Sequence, residues 1–84
     1  MELIAQFENA VAASKLLPAK PDNETLLKLY SLYKQATEGD APTEGPGNPF
    51  DFVGKAKHTA WAELTGKTKE EAMQDYVALI DALK

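Results

Sequence analysis

Apolar residues recur along this chain at the three- and four-residue steps of a helix, and no strand-like alternation or hairpin turn competes with them. From Glu2 to about Leu16, the residues Leu3, Ile4, Phe7, Ala10, Val11 and Ser14 share one face, with Lys15 at its edge, about 20° beyond Ile4. Pro18 and Pro21 stop that segment. Pro21-Asp22-Asn23-Glu24 then opens a second helix, with Asp22 or Asn23 as cap and Glu24 in the favourable first turn, running to about Thr37. Between Glu38 and Phe50 stand three prolines, three glycines and three acids, the composition of a loop and a long one for a small domain. A third helix is predicted from near Asp51 to Gly66, a residue suited to a left-handed cap. Its apolar arc collects Phe52, Val53, Ala56, Ala60, Trp61 and Leu64; Lys57 falls inside that arc and Lys55 on the opposite side. Thr68-Lys69-Glu70-Glu71 is a capping box, and Ala72, Met73, Tyr76, Val77, Leu79, Ile80 and Leu83 line the fourth helix behind it. The pattern predicts an all-α four-helix bundle with a long loop between its second and third helices.

Composition narrows what such a bundle can do. At 84 residues it reads as one domain with a thin margin of buried surface, and with no cysteine it has neither disulfides nor a Cys-based zinc site. The net charge of −4 argues against nucleic acid or an anionic membrane as partner. All nine cationic residues are lysines, so any phosphate would be met by point charges and not by guanidinium forks. No apolar run approaches the ~20 residues of a membrane span and no signal-peptide pattern appears, so a cytoplasmic protein is expected.

The stretch Leu26–Asp40 carries the chemistry. Leu26, Leu29, Tyr30, Tyr33 and Thr37 fall on one side of the helix, and Lys34 points about 40° from Tyr30 and about 20° from Leu27. An ammonium in an apolar, aromatic wall meets an anion or stands at the edge of a groove. Tyrosines beside it offer flat rings to a base. An amphipathic helix with core tyrosines and a snorkelling lysine fits the same pattern. Yet Lys15, Lys34 and Lys57 place a lysine on or beside the apolar face of three of the four helices.

Tyr30-Ser31-Leu32-Tyr33-Lys34-Gln35-Ala36-Thr37-Glu38-Gly39-Asp40 resembles the signature of the acyl-CoA-binding protein family. The resemblance continues through Asp51-Phe52, Gly54-Lys55-Ala56-Lys57, Ala60-Trp61, Glu63-Leu64 and Gly66, and covers nearly the whole chain, residues 1–84, as a single acyl-CoA-binding domain. It implies a ligand, fatty acyl-coenzyme A, held by its adenine and 3′-phosphate with the acyl chain in a groove, and no further cofactor. Tyr30 and Tyr33 then face the adenine, and Lys34 and Lys57 the 3′-phosphate. Lys15 is a further basic contact and Tyr76 touches the ligand, although mid-face on its helix it reads equally as core. Leu26 and Leu27 lie near the acyl chain, with Ala10 and Val11 as neighbours across the groove. The implied function is a monomeric carrier and buffer of medium- to long-chain acyl-CoA esters.

The chain departs from the family pattern at four places. His58 stands where many members have a second tryptophan, Gly45 where an arginine is common, and Gly47-Asn48-Pro49-Phe50 is one residue longer than the usual connection. The basic tail of many members does not follow Lys84. Two other classes compete. Catalysis would need partnered groups, but the single histidine, His58, falls outside the apolar arc as a solvated side chain, and no metal spacing or activated nucleophile is present. A helical protein–protein interaction module explains aromatic exposure but not the lysines beside it.

Overall fold

In the computed structural model, which describes residues 2–42, 45, 47 and 50–84, four helices follow in order: α1 (Leu3–Ser14), α2 (Asn23–Glu38), α3 (Phe52–Ala62) and α4 (Lys69–Leu83). Their starts are written locally. The Asp22 carboxylate accepts from the Thr25 backbone N–H at 2.8 Å, and the Asp51 carboxylate accepts from that of Gly54 at 2.9 Å. At α4 the capping box closes in both directions: Thr68 Oγ1 accepts from the Glu71 N–H at 3.1 Å, and the Glu71 carboxylate accepts from the Thr68 N–H at 3.0 Å.

The third helix stops four residues short of the predicted Gly66. After the Glu63 N–H bonds to Thr59, the chain tightens into three-residue turns, Leu64 to Trp61, Thr65 to Ala62 and Lys67 to Leu64. Gly66 does adopt a left-handed φ of 96°, but it serves a different contact: its N–H donates to the Asp40 carboxylate at 3.0 Å. Of the lengthened connection 47–50, Asn48 and Pro49 lie outside the described residues.

Packing is sequential in space. α1 lies on α4, α4 on α2, and α2 on α3. The molecule measures 40 × 28 × 15 Å, so the helices form a shallow bundle with open seams and not a square one. The core joins Phe7 and Ala10 of α1, Leu29, Leu32 and Ala36 of α2, and Ala72, Tyr76 and Ile80 of α4. Helices α1 and α2 meet through rings: Phe7 stacks on Tyr33 at 6.0 Å and meets Tyr76 edge-on at 5.2 Å. Helix α3 contributes one buried residue, Trp61. Phe52 and Val53, assigned to an apolar arc by periodicity, are 71% and 66% exposed, because α3 has a neighbour on one side only. Ile4 is likewise exposed, on a groove that it lines with Lys69 and Met73 of α4.

A polar clamp ties the loops together. Gln35, fully buried, donates its amide N–H groups to the Asp40 carboxylate at 2.8 Å and to the Lys67 carbonyl at 2.7 Å. The Gly66 N–H, and then the Gln35 amide, hold the Asp40 carboxyl below the usual carboxylate range. A carboxyl so depressed stabilises the fold above its unfolded value of about 3.9, and the contribution is lost as pH falls through the lower folded value. Asp40→Asn keeps an acceptor oxygen but does not titrate. Its urea midpoint is therefore expected to fall less between neutral pH and about pH 3 than that of the wild type. Parallel losses in the two proteins would remove Asp40 from the acid response.

Candidate functional site

One side of α2 opens onto two adjoining cavities. The first, about 260 Å³, is bounded by Ser14 and Leu17 below and by Leu26, Tyr30, Tyr33 and Tyr76. The second, about 460 Å³, runs between α2 and the start of α3, lined by Leu26, Leu27, Phe52, Val53, Ala56 and Lys57. Leu26 belongs to both, so they form one continuous surface: an apolar trough leading to a cluster of tyrosines.

Ammonium groups lie over aromatic rings along this surface. Lys57 Nζ stands 5.2 Å from the centre of the Tyr30 ring, and Lys34 Nζ stands 5.0 Å from that of Trp61. Trp61 is itself fixed from behind, its indole N–H donating to the Gly39 carbonyl at 2.8 Å. Lys34 also forms an ion pair with Glu38 one turn on, and that hydrogen bond raises the Lys34 ammonium above its ordinary pKa. Tyr33 remains 40% exposed, so the ring stacked on Phe7 still offers a flat surface to solvent.

Six of the eight sequence-predicted residues line this surface: Leu26, Leu27, Tyr30, Tyr33, Tyr76 and Lys57. Lys34 lines neither cavity; it stands beside them, over Trp61 and within electrostatic reach of Tyr30 and Tyr33. Tyr76 is both core and lining: 4% exposed, it forms part of the first cavity's floor. Lys15 is the looser member, exposed just beyond the end of α1, next to Ser14 in the cavity wall but lining neither cavity. Ala10 and Val11 do not sit across from Leu26 and Leu27. Ala10 is in the core, and Val11 lines a third groove, of about 550 Å³, with Ile4, Phe7 and Met73. That groove shares Tyr33 with the first cavity but does not reach Leu26 or Leu27, because α1 packs on α4 and not beside α3.

Two residues play parts that periodicity did not indicate. Trp61, placed in an apolar arc, is the ring beneath Lys34. His58, expected in solvent, is half-buried: its Nε2 lies 2.8 Å from the Pro42 carbonyl, its ring meets Trp61 edge-on at 6.5 Å, and Gly45 passes over it. It ties the loop to α3. Lys55 is exposed, as its wheel position requires.

Fold and site together define a small all-helical binding protein whose apolar trough ends among aromatic rings and ammonium groups. The family model described as "Acyl CoA binding protein" matches residues 4–80. The chain belongs to the acyl-CoA-binding protein family. It is 49% identical over 77 residues to "Acyl-CoA-binding protein homolog 1" of Caenorhabditis elegans, which spans 92% of this chain and 88% of that protein. The crystal structure of Oryza sativa Acyl-CoA-Binding Protein 2 superposes with a TM-score of 0.89 at 42% identity, over 96% of this chain and 87% of that one. A match at 53% identity to "Enoyl-CoA delta isomerase 2" of Rattus norvegicus covers 92% of this chain but only 19% of that enzyme.

Proposed function

We propose that this chain is a carrier and buffer of medium- to long-chain fatty acyl-CoA esters, binding them without catalysis. The observation that carries the reading is the continuity of an apolar trough with paired lysines and tyrosines at one end. The acyl chain lies along Leu26 and Leu27 against Ala56. Tyr30 and Tyr33 take the adenine, and Lys34 and Lys57 the 3′-phosphate, with Lys15 as an outer basic contact. Lys57 rests on the Tyr30 ring, so its four-carbon stem swings off that face as a base and phosphate arrive together.

Non-catalytic binding agrees with family matches that span most of a protein named for binding and only a small part of one named for isomerisation. Among the described residues no group of three or more His, Cys, Asp or Glu could hold a metal, and no helix is long and apolar enough to cross a membrane. A cytoplasmic monomer, with residues 1–84 forming one acyl-CoA-binding domain, completes the reading.

The test is calorimetry with palmitoyl-CoA, free CoA and palmitate. Palmitoyl-CoA is expected to bind far more tightly than either part. Lys34→Ala should cost about 1.5–3 kcal/mol of palmitoyl-CoA binding, the worth of a charge-assisted phosphate contact. Its effect on palmitate should be small, and Lys55→Ala should bind like wild type. Palmitate binding as tightly as palmitoyl-CoA would reduce the site to a general lipid groove.

A further inference from the structure

Glu38 is out of place as a helix residue. It closes α2, where the carbonyl end of the helix dipole repels a carboxylate. Its pairing with Lys34 runs in the weaker direction too, since an acid four residues before a lysine supports a helix better than one four residues after. Neither helix stability nor burial accounts for it: 53% of its side chain is exposed. What it does touch is the ammonium that stands over Trp61 at the edge of the site.

We propose that Glu38 is an internal competitor for the ligand's 3′-phosphate. With the site empty, its carboxylate occupies Lys34. A phosphate reaching that ammonium must displace it, and Glu38, half in water and followed by Gly39, swings outward. The grip on the head group is thereby held below its maximum, and release is eased, because the carboxylate is on hand to reclaim Lys34 as the phosphate lifts. A ligand lacking the 3′-phosphate leaves the ion pair undisturbed and does not meet this competition. The inference rests on the head-group role assigned above to Lys34.

Glu38→Gln keeps the shape and removes the charge. It is expected to tighten palmitoyl-CoA binding by about three- to fivefold at low ionic strength, the scale of an exposed ion pair, mostly through slower dissociation. The gain should shrink in high salt. It should be absent for 3′-dephospho-palmitoyl-CoA and absent when Lys34→Ala is present as well. Asp81→Asn, an equal charge change at a residue paired with Lys84, should leave affinity unchanged. Unchanged or weaker palmitoyl-CoA binding by Glu38→Gln, in a protein whose wild type does discriminate the 3′-phosphate and does need Lys34, would overturn the competitor role alone. If the wild type ignores both, the head-group reading falls and the inference falls with it. A gain of equal size on the dephospho ligand would mean general electrostatics and would also overturn it.

Discussion

Affinity is expected to rise steeply along the series octanoyl-, dodecanoyl- and palmitoyl-CoA. A methylene fully removed from water is worth ~0.8 kcal/mol. The trough between Leu26, Leu27 and Ala56 is open along its length, and its outer wall, Phe52 and Val53, is largely exposed before any ligand arrives. About half of each methylene should therefore be covered. Four added methylenes then contribute roughly 1.5 kcal/mol, or somewhat more than tenfold in affinity. The rise should level off where the chain outgrows the trough, and the length at which it does so measures the wall that Phe52 and Val53 provide. Isothermal calorimetry also reads the accompanying heat-capacity change, which should grow more negative with chain length. Equal affinity across the series would mean that only the head group is recognised.

Trp61→Ala is expected to lose about 3–5 kcal/mol of stability, a large share of what a domain of this size possesses. Trp61 is the one buried residue of α3, so the truncation removes most of what seats that helix on α2. It also deletes the indole bond to Gly39 and the ring under Lys34, so binding should weaken beyond what instability explains. Trp61→Phe separates these effects. It retains most of the packing and should cost nearer 0.5–1.5 kcal/mol for the lost hydrogen bond, with a weaker seat for Lys34. Urea denaturation gives the stabilities, and palmitoyl-CoA titration in the folded range gives the affinities. An alanine variant within about 1 kcal/mol of wild type would show that α3 is held by something other than this side chain.

The helices and their caps were legible because each is decided within a few residues: Asp22 before Thr25, Asp51 before Gly54, Thr68 with Glu71. What periodicity could not separate was core from groove. Leu26, Leu29, Tyr30 and Tyr33 share one side of the α2 wheel and all line the first cavity, yet Leu29 is buried in the core while Leu26, Tyr30 and Tyr33 stay more open to solvent. Both environments select apolar side chains, and only the position of the neighbouring helix distinguishes them. The same ambiguity put exposed Phe52 and Val53 in one apolar arc with buried Trp61. Gln35 was illegible for the opposite reason. Polar side chains are ordinarily exposed, and its burial depends on Asp40 and Lys67, 5 and 32 residues away. The Lys34–Glu38 pair and its position over Trp61 emerge only in the fold.

The spatial order α1–α4–α2–α3 bears on how the chain is made. Helices α1 and α2 both rest on α4, the last of the four to be synthesised, whose Ala72 and Ile80 are sealed at the centre of the core. A nascent chain emerging from the ribosome therefore carries the apolar stripes of α1 and α2 without the surface that covers them. Those stripes stay wet, and available to chaperones or to other unfinished chains, until the segment through Ile80 has cleared the exit tunnel. The cavity floored by Tyr76 cannot form earlier either, so a ligand can reward folding only once α4 has emerged.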